Sequence, residues 1–188
     1  MKIKMELLSD VIFGNGVSVP GGEDISVLCD KQGFPYYKGG TLKGIFREEL
    51  CRYAEWNEWS KEKTQNILKH LIGIGGESEP DQNKLIFSDF TLSEYVKMCV
   101  RKEIGTDDPQ EILDIFTNTR TFTSIGENGM VKKGSLRSGR CVDKGLVFWG
   151  EIDCAKEDAE MVQEVLTLIK WIGSMRNRGF GKVRFTVL

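Results

Sequence analysis

The chain has 188 residues, is 40% hydrophobic and 29% charged, and carries a formal net charge of −2. These values suit one well-buried domain, leave too little chain for two, and set up no global basic field to draw in nucleic acid. No apolar run reaches membrane-spanning length, the start MKIKMELLSD is too polar for a signal-peptide core, and five scattered cysteines with one histidine, His70, weigh against a zinc site and fit reduced thiols in a cytoplasmic setting.

The predicted elements follow in chain order. Residues 3–13 alternate Ile3, Met5, Leu7, Val11 and Phe13, which predicts a first strand with one buried face. Gly14, Asn15 and Gly16 mark a turn. A loop through Gly21, Gly22, Glu23 and Asp24 leads to a short apolar run at 25–29 and a second turn at 30–33. Gly39 and Gly40 then allow a tight turn and the close approach of another backbone. Thr41 is placed as the N-cap of a helix whose apolar face is Leu42, Ile45, Phe46, Leu50, Tyr53 and Ala54. Lys43 and Arg47, four apart, stack on a different face.

Residues 56–117 read as a mostly helical insertion on the core. It holds a helix at 61–74, a polar loop at 77–83, a short strand at 85–90 and a short helix at 109–116. Residues 119–125 alternate as a strand, and glycine and lysine through 126–139 predict a protruding hairpin spanning roughly 119–142. A strong strand at 145–152 follows. The clearest helix, at 157–172, lines up Met161, Val162, Val165, Leu166, Ile169 and Ile172. A last strand covers 182–188. Strand, helix, strand, strand, helix, strand describes an α+β, ferredoxin-like domain over 1–188, an arrangement shared with RNA-recognition modules.

Two constellations bear on chemistry. Free N–H groups at the glycine turn, with Lys43 and Arg47, suit a phosphate; an ordinary turn before an amphipathic helix accounts for the same residues. Near the end, Arg176-Asn177-Arg178-Gly179-Phe180-Gly181 sets two cations beside a backbone that a ligand can approach. Phe180 either stacks on a base or fills the core. No acidic residue follows Glu164, whereas Lys170, Arg176, Arg178, Lys182 and Arg184 do. Lys132, Lys133, Arg137, Arg140 and Lys144 are set against Asp143 alone, and acids gather at 77–114 and 151–164. That segregation predicts a basic face and an acidic face, against the plainer reading of a solvated mixture. Histidine acid–base chemistry would rest on His70 alone, in a run, ILKHLIGI, that reads as structural.

The run Gly39-Gly40-Thr41-Leu42-Lys43-Gly44 resembles the GSSLKG helix start of the RAMP superfamily of CRISPR proteins, with Lys38 where that family usually has proline. RNRGFGKVRF, beginning at Arg176, resembles the family's terminal glycine-rich loop, R-G-[FY]-G-x-V. Between them, LIFSDF at 85–90 resembles L-x-F-S-D-A, and residues 118–151 resemble the family's hairpin and the strand after it. The matches run in family order and cover nearly the whole chain, most weakly at 56–79. Among RAMP proteins the chain is most similar to the repeated backbone subunit of type III CRISPR effector complexes.

The resemblance implies a set of expectations. The partners are a CRISPR guide RNA, a single-stranded target RNA, and other effector subunits, including copies of this chain or related RAMP proteins; no membrane is involved. Gly39, Gly40, Thr41, Lys43, Arg47, Arg176, Arg178, Gly179, Phe180 and Gly181 are implied to hold guide RNA. Lys132, Lys133 and Arg137 lie on a thumb-like hairpin that enters the guide–target duplex and flips a base. Asp24 is implied as the catalytic and metal-binding residue for target cleavage, with magnesium or manganese loosely held; Asp30 shapes a turn. Other readings stay open. Asp24 can be an ordinary loop residue, and Glu48 and Glu49 can weaken phosphate binding at Arg47. The chain can be a noncatalytic structural or capping subunit, a guide-processing endoribonuclease, or a small-molecule-binding ferredoxin-like domain.

Overall fold

Alternation at the start of the chain places Ile3, Met5 and Leu7 on one side of β1 (Lys2–Leu7), and all three are buried. The computed structural model describes residues 1–14, 23–73 and 84–188. In it, β1 lies between β7 (Val147–Asp153) and β8 (Val183–Val187), antiparallel to both. β4 (Phe90–Leu92) and β3 (Ile86–Phe87) pair with β7, and β2 (Tyr36–Tyr37) pairs with β4. The register sets Met5 opposite Phe148 on one side and Phe185 on the other. Phe90 packs over Gly150, where a Cβ would come within 2.8 Å of the ring.

That apolar layer is covered by α1 (Gly39–Trp56) and α5 (Ala159–Leu168), which pack on each other. Leu42, Phe46, Leu50 and Ala54 of α1 are buried, as are Val162, Val165 and Leu166 of α5. Helices on one face of an antiparallel sheet in the order β2-β4-β7-β1-β8 give the expected α+β, ferredoxin-like core. The block at 56–117 supplies α2 (Lys61–Leu71), α3 (Glu94–Ile104) and α4 (Pro109–Ile115). It also supplies β3 and β4. Ser60, Ser93 and Asp108 cap its helices by accepting from the N–H groups of Lys63, Val96 and Gln110.

β5 (Thr117–Phe122) and β6 (Arg137–Val142) form a separate two-stranded ribbon, a hairpin called the thumb below. Two segments hold its root. Val11 and Val142 exchange both backbone hydrogen bonds, and Ile25 bridges Gly139 in parallel.

Several bounds move for identifiable reasons. The expected first strand stops at Leu7, and Val11 and Phe13 remain buried but serve the thumb root and the groove described below. The helix expected at 157–172 ends at Leu168. Ile169 and Ile172 stay buried, because the backbone after Leu168 is drawn to the last strand: Val183 donates to Lys170 O and Ile172 donates to Gly181 O. α3 is absent from the expected elements, although Val96, Val100 and Ile104 recur by four between Ser93 and Gly105; these three are only partly buried. The turn at 14–16, the glycines at 21–22, the end of the expected helix at 74 and the polar loop at 77–83 fall wholly or partly outside the described residues.

Candidate nucleic-acid interface

The head of α1 is more occupied than its sequence suggests. Lys38, not Thr41, is the N-cap, and no side chain caps the helix. Gly39 is buried: a Cβ there would lie 2.3 Å from the Phe87 carbonyl oxygen, and its N–H donates to Asp89 Oδ1 at 2.9 Å. Asp89 thus already serves as an anion at this helix start. Gly40 is exposed with open space around it, and Thr41 is exposed. Lys43 does not join Arg47 in solvent, because its Nζ donates to the Leu85 carbonyl at 3.0 Å. Burial lowers its ammonium pKa, and the neighbouring Lys84 charge adds to that. Arg47 remains exposed.

The loop after α5 is built around one 3₁₀ turn, Arg176–Arg178, bounded by left-handed residues Met175 (φ 56°) and Gly179 (φ 86°). Successive side chains on a 3₁₀ turn point about 120° apart. Arg176 accordingly faces α1, while Arg178, Gly179 and Phe180 face the thumb. The Phe180 ring is half-buried and meets Phe122 of β5 edge-on, with centroids 5.6 Å apart. Gly181 is structural: its φ is +83°, and a Cβ would stand 1.9 Å from the Ile172 carbonyl oxygen.

These two regions meet. Thr41 and Ile45 of α1, Tyr37, Gly14, and Ser174 and Arg176 of the loop line one groove of about 240 Å³. Tyr37 lies at its floor, 2% exposed; the Gly173 N–H points at its oxygen, and its O–H proton has no acceptor among the described residues. Burial pushes that phenol up to about 12, so it stays protonated and able to donate. The sequence reading passed over Tyr37; its place one residue before the helix N-cap was the available signal.

Asp24 lies at the thumb root, exposed. Its Oδ2 accepts the Ser138 N–H at 2.8 Å, and its own N–H donates to Ser138 O at 3.0 Å. Ile25 beside it approaches both Gly139 and Gly14, which connects this segment to the groove. Asp30 caps a turn, accepting from the N–H groups of Gln32 and Phe34. Lys132 and Lys133 in the loop before β6, and Arg137 at its start, are exposed, as are Ile125, Met130, Val131 and Leu136 around the hairpin's end.

The basic inventory is partly consumed inside the protein. Arg140 is held by Glu23 and Asp114, and Arg120 pairs with Asp10 at 2.8 Å. Burial alone would raise the Asp10 carboxyl. Hydrogen bonds from Arg120, the Lys144 N–H and Asn118, with the Arg120 charge, outweigh it and hold the pKa below 3.8. Asp10 O also accepts the Gly181 N–H, so this residue ties the loop to the thumb. Among the described residues, one group of three potential metal ligands gathers, His70, Glu157 and Asp158, and it does not include Asp24. His70 Nε2 lies 3.0 Å from Asp158 Oδ2, and all five cysteines are free. No helix among the described residues is long and apolar enough to cross a membrane.

Comparison with known proteins bears on this arrangement. No curated protein sequence matches the chain. A subunit in the cryo-EM structure of the Type III-B Cmr-beta bound to cognate target RNA superposes with a TM-score of 0.68 at 12% identity, covering 98% of this chain and 96% of that one. A subunit of Type III-B Cmr-beta in the apo state gives 0.67 at 13% identity, over 98% and 95%. The family model of the RAMP superfamily matches residues 4–184. With this fold and a match over nearly its full length, the chain belongs to the RAMP superfamily.

Proposed function

We propose that the chain is an RNA-binding backbone subunit of a type III CRISPR effector complex, holding the sugar–phosphate backbone of a guide RNA in the groove between α1 and the loop after α5. Tyr37 carries this reading. A protonated, buried hydroxyl whose proton has no acceptor among the described residues is costly, and one facing a groove walled by Thr41, Ser174 and Arg176 is made good by a phosphate or ribose oxygen. The similarity to subunits of Type III-B Cmr-beta, in one case from a complex bound to target RNA, supports the assembly. Copies of this chain or related RAMP proteins are then its neighbours. The thumb, with Lys132, Lys133 and Arg137 and an apolar end, suits entry into the guide–target duplex, where apolar wedges unstack bases.

Target cleavage would rest on Asp24. An exposed carboxylate fits a loosely held magnesium or manganese ion, which keeps most of its waters and needs only one or two carboxylates beside the substrate phosphate. When bound, such an ion supplies neutralising charge at the scissile phosphate. The chain's own part is to present Asp24 on a fixed backbone: Ser138 N–H orients the carboxylate, and the Ile25–Gly139 bridge holds its segment at the thumb root. The same Ser138 bond favours a second reading, a noncatalytic subunit in which Asp24 only braces the thumb.

The test is equilibrium binding of labelled, unstructured RNA across a salt series. Arg176→Glu and Arg178→Glu should each weaken binding for all sequences and lower the salt slope by about one. Tyr37→Phe should weaken it about tenfold without lowering thermal stability, since it removes a buried O–H that has no acceptor among the described residues. Sequence-selective losses, or full affinity in both Arg176→Glu and Tyr37→Phe, would refute the groove as the backbone site.

A further inference from the structure

Arg176 belongs to two openings. Beyond the groove it also lines a second, wider cleft, whose other walls are Glu49, Arg52 and Trp56 of α1 and Lys170 and Trp171 after α5. Positions 49, 52 and 56 fall at helical spacing, so they share one face of α1. Trp171 is fixed from below by its backbone bridge to Lys182. Trp56 is 66% exposed and Trp171 37%, an unusual outlay of indole on a surface.

We infer that this cleft is a nucleobase-stacking subsite, in which single-stranded RNA leaving the groove past Arg176 lays bases against Trp171 and Trp56. Two indoles offer flat faces that any base can stack on, which gives affinity without sequence choice. Lys170 and Arg176 are the cations for the accompanying phosphates, Arg52 being engaged by Glu49. The one carboxylate present, Glu49, is covered by Arg52 at 2.6 Å and is only 12% exposed, so the cleft presents positive charge to a polyanion. Continuity through Arg176 fixes the path: groove first, cleft second. The inference rests on the groove holding RNA.

The test uses the full chain and fluorescein-labelled oligouridine of about twelve nucleotides, long enough for an OB-sized footprint of stacked bases. Trp56→Ala should weaken binding about 5- to 100-fold, the worth of one aromatic–base stack, and leave the salt slope unchanged. Trp171→Ala should do the same. Because Trp171 is partly buried, Trp171→Phe serves as the second variant and should retain most of the affinity. Wild-type affinity in Trp56→Ala and Trp171→Ala, alongside a loss in Tyr37→Phe, would overturn the cleft and leave the groove reading standing. Absence of binding by the unaltered chain would overturn both. Loss of self-association in sedimentation, with oligouridine affinity intact, would assign the indoles to a protein contact and likewise overturn the proposal.

Discussion

Asp24→Asn in the assembled complex should reduce target-RNA cleavage by about 100-fold or more while guide and target binding stay within about twofold. The choice of asparagine follows from what Asp24 touches. Its Oδ2 accepts the Ser138 N–H, and the adjoining Ile25 pairs with Gly139, so the residue helps seat the thumb. Alanine would lose that hydrogen bond, worth about 1 kcal/mol, and shift the thumb at the same time. Asparagine keeps an acceptor oxygen toward Ser138 and removes only the charge, which is what a divalent cation requires. Single-turnover cleavage with saturating magnesium reads the difference. Wild-type cleavage by Asp24→Asn would leave Asp24 as a brace and favour the noncatalytic subunit.

Gly181→Ala should destabilise the protein by about 3–5 kcal/mol, an exceptional cost for adding one methyl group. Two penalties combine. The residue sits at φ +83°, which costs an L-residue about 1–2 kcal/mol. The new Cβ would also lie 1.9 Å from the Ile172 carbonyl oxygen, a backbone atom that cannot rotate away. Relief would break the bonds from Ile172 N–H to Gly181 O and from Gly181 N–H to Asp10 O, which set the loop on α5 and on the thumb root. Gly179→Ala is the control, with φ +86° but open space around it, so it should lose only the left-handed penalty of about 1–2 kcal/mol. Urea denaturation of both variants measures the contrast. Equal losses in the two would mean that the loop yields freely and that Gly181 does not fix its position.

The sequence disclosed the core well where burial has a simple period. Ile3, Met5 and Leu7 alternate and are buried; Leu42, Phe46, Leu50 and Ala54 recur by four and are buried. It disclosed burial but not backbone at Ile169 and Ile172, since hydrophobic spacing cannot tell a helix from a chain recruited by a neighbouring strand. The site was legible as residue types near the glycines, less so as partners. Nothing in the order of residues tells that Asp89 takes the Gly39 N–H, that the Leu85 carbonyl takes Lys43, or that Arg140 is held by Glu23 and Asp114. Those are long-range pairings, and each removes a group that local reading leaves available. The Tyr37 hydroxyl is the converse case, a polar group whose proton the fold leaves without an acceptor among the described residues.

Photo-cross-linking of the complex assembled on guide RNA carrying 4-thiouridine is the most direct examination of the shared groove. The structure places Tyr37, Thr41, Ser174 and Arg176 around it. Cross-linked nucleotides should therefore appear on peptides from both the 36–47 and the 171–182 stretches. Cross-links confined to the outer face of the sheet, at Lys4, Trp149 or Arg184, with neither stretch labelled, would contradict the account.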